Sequence, residues 1–256
     1  MRKIIAIIVL SVLVLTSCIE EDVPGLQNTS VSLNFKHDWD GTNVSNTDFN
    51  SIQYFNENND ELSIEKLRYL ISNVTFHKSN GETIVVEGYN LVDVTNDENL
   101  TYVLPDQIQV GTYSNVSFTF GFDNTDNIHG AYTDLNSASW DVPGMLGGGY
   151  HFMQLEGKFI NNVASDQGYQ YHTIRAVDNT DPMNLVFQDT FFTVNLGEVI
   201  VHNNSSVDVK MNIAEWFKSP HQWNLNDSNS MLMSDFNAQI KMYDNGQNAF
   251  SLGTVN

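Results

Sequence analysis

From about residue 30 onward the chain alternates apolar and polar side chains in short runs separated by polar turns. Ser30–Lys36, Leu67–Phe76, Thr83–Val86, Val116–Phe120, Tyr150–Phe159, Thr190–Leu196 and Ser206–Asn212 are rich in Val, Ile, Phe and Tyr, largely in period-two order. Successive side chains of an extended chain point to opposite faces, so this spacing predicts strands with one face against a core. Turn signals such as Ser79-Asn-Gly81 and Gln109-Val-Gly111 bound the runs. Helical spacing is confined to Ser230–Tyr243, with Asp244-Asn-Gly246 as its stop, and to one further turn at Ile213–Phe217. Many strands with little helix predict an all-β fold, an antiparallel β-sandwich or barrel-like domain with a short C-terminal helix.

No Pro-rich linker, composition break or internal repeat divides residues 31–256, which are read as one domain. The beginning of the chain differs. Met1-Arg-Lys3 precedes Ile4–Leu15, a run that is apolar apart from Ser11. It is too short to cross a bilayer as a helix and has the shape of a signal-peptide apolar region. Leu15-Thr-Ser-Cys18 resembles a bacterial lipobox, whose cysteine is lipidated and becomes the mature N-terminus. Residues 1–17 are therefore expected to be a lipoprotein signal peptide, residues 18–30 a lipidated tether and Cys18 the lipidation site. Such an anchor implies the outer membrane, on its periplasmic or cell-surface face. Ile19-Glu-Glu-Asp22 is similar to signals that send lipoproteins outward. Cys18 is the only cysteine, so no disulfide is expected and stability rests on a large core.

Charge narrows the partners. The chain holds 31 acidic and 11 basic residues, a net −20, and loss of Arg2 and Lys3 with the leader leaves −22. That field repels nucleic acid and anionic lipid and attracts cations. A solvated, exported surface accounts for most of the acidity. Nothing points to an enzyme: there is no Gly-x-Ser-x-Gly elbow, His-Glu-x-x-His, Walker loop or dinucleotide fingerprint. The loop Asp123-Asn-Thr-Asp-Asn127 offers oxygen ligands for calcium but lacks the spacing and closing Glu of an EF-hand, so a polar turn is the preferred reading.

Residues 140–172 carry the candidate chemistry. A Gly-rich turn, Gly147-Gly-Gly149, runs into Tyr150-His-Phe-Met-Gln-Leu-Glu-Gly157, and His129, Trp140, Met145, His151, Met153 and His172 fall on or near it. Imidazole and thioether are donors that a soft or borderline metal such as copper prefers. Strand alternation predicts that His151 and Met153 share a face, with core filling as the competing role for Met153. Trp140 either stacks beside a metal or anchors the Gly-rich loop. His77, His202 and His221 lie beside polar turns and are read as solvated.

Several segments in order resemble the MbnP-like (methanobactin-partner) family of copper-binding proteins and their lipoprotein relatives. Leu33-Asn-Phe-Lys-His-Asp-Trp-Asp-Gly41 is similar to the family opening, and Leu67-Arg-Tyr-Leu-Ile-Ser-Asn-Val74 to its Tyr-containing run into Ser-Asn. Gly111-Thr-Tyr113 with Phe118–Asp123 looks like its Gly-x-Tyr and following strand. Gly149–Gly157 resembles its Gly-Tyr-x-Phe-x-x-x-Glu-Gly strand, with Tyr171-His172 at a Phe/Tyr-His position. The tail from Ser230 through Asp244–Phe250 is similar to the family ending, so the resemblance spans about residues 31 to 253. One departure is the missing Met-Phe/Tyr-Trp-x-Trp run, replaced by a single, shifted Trp140.

The resemblance implies one copper ion held by His129 and His172, completed by His37 or His151, with Trp140 and Met153 beside it and Trp140 as the residue open to oxidation. It implies copper capture or handover, without turnover, to an importer or partner protein. The alternative is a surface-exposed β-sandwich binding or structural module that has lost metal binding, for which the altered Trp motif speaks.

Overall fold

The computed structural model describes residues 27–256 apart from residue 231. The expected signal peptide, Cys18 and most of the tether lie outside the described residues. The strands that place the site are β1 (Ser32–Trp39), β2 (Lys66–His77), β3 (Thr83–Asp93), β4 (Gly111–Phe120), β5 (Met153–Ile160), β6 (Asp166–Thr173), β7 (Ala176–Asp178), β8 (Val186–Gln188), β9 (Phe192–Val201), β10 (Ser206–Asn212) and β11 (Phe250–Val255). Two α-helices, α1 (Thr133–Ser137) and α2 (Phe236–Gly246), accompany them. The chain is mostly β, as the alternation predicts.

β2 is the hub of the larger sheet. β3 runs antiparallel along one of its edges, and the other edge is shared end to end by β5, opposite residues 66–69, and β4, opposite residues 71–77. β9 extends the sheet beyond β4, and β6 extends it beyond β5. Three residues past the point where the two branches part, Asn73 adopts φ 52° and the register of β2 shifts against both β3 and β4. Asn tolerates this left-handed conformation better than most residues, and a bulge there sharpens the twist that curls the sheet.

The facing sheet departs from the antiparallel expectation at one pair. β1 and β10 run parallel, with Ser32–Asp38 alongside Ser206–Asn212, and β11 closes antiparallel on β10. A tight hairpin joins only antiparallel neighbours, and these two strands are brought together from opposite ends of the domain.

Between the sheets lies the main core. In β9 every second side chain is buried on either side of a break at Gly197, with Phe192, Val194 and Leu196 before it and Val199 and Val201 after. Aromatic rings meet edge to face at its centre: Phe35 on Tyr69 and Phe118, and Phe250 on Phe118 and Tyr69, with ring centroids 5.5–6.4 Å apart. These arrangements suit the ring quadrupoles and add to the gain from burying large apolar side chains.

Helix α2 begins later than the apolar spacing predicts. The Asp235 side chain accepts from the Ala238 N–H, which caps the helix after a separate 3-10 turn at Leu232–Ser234. β5 also starts at Met153, three residues later than its sequence suggests. The Tyr150 and His151 N–H groups are occupied instead by Asn127 Oδ1 and the Trp140 carbonyl. Two satellite clusters sit outside the main core: Leu70, Phe122, Leu135, Trp140 and Tyr150 in one, and Val142, Leu146, Ile174 and Val177, with Leu185 and Met233 packed on them, in the other.

Candidate metal centre

Strand register lines up a polar row. Asp93, Arg68, Gln154 and His172 stand side by side across β3, β2, β5 and β6, and two residues along Glu156 stands between Lys66 and Gln170. Their neighbours in sequence, Tyr69, Met153, Leu155 and Tyr171, point the other way into the main core. Period two thus puts a charged row on the back of an apolar face. Arg68 Nη2 donates to Gln154 Oε1 at 2.6 Å, and Asp93 Oδ2 lies 4.0 Å from Nη1. Glu156 Oε1 accepts from His172 Nε2 at 2.7 Å and from Lys66 Nζ at 2.8 Å. The His172 hydrogen bond, with that of Lys66, holds the Glu156 carboxyl down at about 2, so it is ionised and only accepts. Nε2 of His172 therefore carries the proton, and Nδ1 keeps its lone pair in the neutral ring.

Above this row runs the segment from Trp140 to His151. The Arg68 guanidinium sits over the Trp140 ring, 5.0 Å from its centroid. The Trp140 carbonyl accepts twice from His151, from its backbone N–H at 3.0 Å and from Nδ1 at 2.9 Å. A carbonyl cannot donate, so the proton is on Nδ1. Burial pushes the His151 pKa down to about 4, against a smaller opposing effect of that hydrogen bond. At neutral pH the ring is uncharged and Nε2 is a bare base.

That nitrogen lies 3.2 Å from the Met233 Sδ, which also has no proton to give. Two lone-pair donors at this separation could serve as adjacent ligands of one cation. Bond lengths of about 2.0–2.1 Å to nitrogen and about 2.3 Å to sulfur place such ligands about 3.5–3.6 Å apart at a tetrahedral angle, and a separation of 3.2 Å corresponds to a tighter angle of about 95°. The His172 ring approaches His151 edge-on, with centroids 5.2 Å apart and planes at 85°. Trp140 borders the pair, its ring 5.6 Å from that of His151 and its buried Nε1 without an acceptor among the described residues. Two imidazoles and a thioether, both rings fixed from behind, fit a soft monovalent or borderline cation.

The structure brings together two of the four expected histidines, His151 and His172. His37 lies on β1 of the facing sheet and is buried on the far side of the polar row, its Nε2 3.0 Å from the Tyr69 hydroxyl, and burial, helped by the charge of Lys36, lowers its pKa to about 4. His129 is exposed and lies against Gly148, with ring and Cβ atoms 3.1 Å from where a Gly148 side chain would begin. Met153 is wholly buried in the main core, so the sulfur that meets His151 belongs to Met233, at the start of the expected C-terminal helix. The Gly-rich turn needs its glycines: Gly147, Gly148 and Gly149 have φ of 91°, 67° and 81°, and Phe187, His129 and Asn127 fill the space of their missing side chains. Asp123 Oδ1 accepts from the N–H groups of Thr125 and Asp126 at 2.8 and 3.1 Å, closing its own turn. Among the described residues, no three His, Cys, Asp or Glu side chains converge as a metal site, so the thioether is needed to complete a set of three.

The same span is recognised by comparison with known proteins. The MbnP family model matches residues 28–234, which take in β1 through β10 and all three donors. No curated protein matches. Among solved structures, MbnP from Methylosinus trichosporium aligns over 80% of each chain at 12% identity with a TM-score of 0.49. By the family match, which covers most of its length, the chain belongs to the MbnP family.

Proposed function

We propose that this protein is a lipid-anchored, extracytoplasmic copper-binding protein that holds one ion at His151 Nε2, His172 Nδ1 and Met233 Sδ and passes it on without turnover. The observation that carries the reading is the 3.2 Å approach of two bare donors, His151 Nε2 and Met233 Sδ. The Trp140 carbonyl and the Glu156 carboxylate set the tautomers that free the metal-facing nitrogens. Thioether and imidazole favour Cu(I) over calcium or magnesium, and the net −20 charge draws cations toward the molecule. Cys18 would carry the lipid that fixes the protein to the outer membrane, beside the importer or partner that receives the ion.

Titration of the full chain in detergent with Cu(I), buffered by a chromophoric chelator under reductant, tests the reading. One saturable equivalent is expected, lost or weakened at least tenfold in His151→Ala, His172→Ala and Met233→Leu. Uptake that does not saturate would favour the second reading, a β-sandwich interaction module without metal, which draws on the lack of three clustered His, Cys, Asp or Glu side chains among the described residues. Retention of Cys18→Ser in the membrane fraction would remove the anchor.

A further inference from the structure

Two of the three proposed donors are tied through their main chains to one side chain. Gln239 lies on the buried face of α2 with Ala238 and Met242, and only 1% of it is exposed. Its Nε2 donates to the His172 carbonyl at 2.8 Å and to the Leu232 carbonyl, one peptide before Met233, at 3.1 Å. Its Oε1 accepts from the Ile174 N–H at 3.0 Å. Both amide protons and the oxygen are thus spent on backbone outside the helix that carries them.

An amide fits here because of β6. Among the described residues this strand pairs with β5 alone, so its other side is an edge. The Thr173 carbonyl accepts from the Phe152 N–H at 2.8 Å, which leaves the flanking His172 carbonyl and Ile174 N–H directed to that edge. One carboxamide satisfies both, as the peptide groups of a neighbouring strand would. Its remaining proton fastens the 3-10 turn at Leu232–Ser234, which carries Met233, to the same point.

We infer that Gln239 is a positioning residue of the centre, the side chain that seats the Met233 turn against the strand of His172, an inference that rests on the copper reading above. The other two donors are fixed independently: His172 by the β5 ladder and Glu156, His151 by the Trp140 carbonyl. Met233 has an unbranched, readily rotating side chain, so its sulfur is aligned only as well as its main chain is held. Without the amide, the Leu232 and His172 carbonyls lose the donor they share, and copper must order the turn as it binds, at a cost in affinity.

The test uses the full chain in detergent with two readouts, methionine-methyl NMR of the copper-free protein and Cu(I) affinity against a chromophoric chelator. Wild type is compared with Gln239→Leu, Met233→Leu and the double variant. Gln239→Asn, which keeps the amide but draws it back by a methylene, is the milder change, and copper-free thermal melts check folding. In Gln239→Leu the Met233 methyl resonance should move toward those of the exposed Met145 and Met183, while those of the buried Met153, Met211 and Met242 stay in place. Affinity should fall roughly ten- to a hundredfold, as when other groups that orient metal ligands are removed. Added to Met233→Leu, the same substitution should change affinity by less than about threefold, because the amide acts through that sulfur. An unmoved Met233 resonance with wild-type affinity in Gln239→Leu, or in Gln239→Asn where the leucine variant does not fold, would overturn the inference and leave the copper centre standing. Shifts spread over all the buried methionines, or losses that multiply in the double variant, would overturn it too, by showing that Gln239 supports the fold at large. Wild type that takes up no copper would sink the copper reading and this inference with it.

Discussion

Acid should destabilise this protein well before its carboxylates protonate. His37 and His151 are buried without a hydrogen-bonded carboxylate, and burial lowers both from 6.5 to about 4, outweighing the nearby Asp141 charge at His151. An unfolded chain takes up protons at these positions near pH 6.5, whereas the folded chain resists until about pH 4. Between those values the unfolded state binds more protons, so stability is full above pH 6.5 and falls as pH falls. With these pKa values, each imidazole removes about 2 kcal/mol at pH 5, roughly 4 kcal/mol together. That is a large share of the 5–15 kcal/mol typical of a folded domain. The assay is urea unfolding of copper-free protein from pH 7.5 to 5, followed by the fluorescence of its four tryptophans. His37→Gln, which keeps a polar group for the Tyr69 hydroxyl, should remove about half of the pH dependence. A urea midpoint that is flat across this range, or a His37 resonance titrating near pH 6.5, would refute the reasoning.

Other substitutions probe the scaffold. Gly157→Ala would put a Cβ 2.1 Å from the Ser63 carbonyl oxygen and 2.8 Å from the Tyr169 ring; a loss of about 3 kcal/mol or more, or no soluble protein, is expected in thermal melts. Glu156→Gln removes a carboxyl held at about 2 by His172 and Lys66. Discounted for solvent at this partly exposed site, the cost is about 1–2 kcal/mol at pH 7. Because the Glu156 contribution is present above pH 4.5 and lost toward pH 2, the denaturation curves of variant and wild type should converge in acid. Asn245 is fully buried, donating to the carbonyls of Trp216 and His221 and accepting from the His221 N–H. Asn245→Ala should cost about 2–4 kcal/mol by chemical denaturation, since it strands those groups.

Much of the architecture is legible in the residues. Leu67–Phe76, Thr190–Leu196 and Ser206–Asn212 alternate clearly enough to give β2, β9 and β10, because one face of each meets the main core. Asp166–Gly168 opens β6 with two polar residues and a glycine, and that half of the strand has no apolar rhythm to read. The parallel pairing of β1 with β10 depends on topology, which local pattern does not encode. At the candidate site, the proximity of His151 and His172 is legible because they flank the Gly-rich turn and its strand, whose pairing brings Gln154 opposite His172. Met233 is not, since its contact with His151 crosses 82 residues and its own segment looks helical. His37 shows the converse: a histidine on an amphipathic strand with a tyrosine waiting across the core looks, in one dimension, like any other donor.

The double acceptance by the Trp140 carbonyl ties the ends of the 141–150 loop together at a neck. His151 is then located by the neck and by β5, and the number of residues between the two ends drops out of its coordinates. The path taken between the ends is thereby separated from the placing of the imidazole along one short stretch of chain.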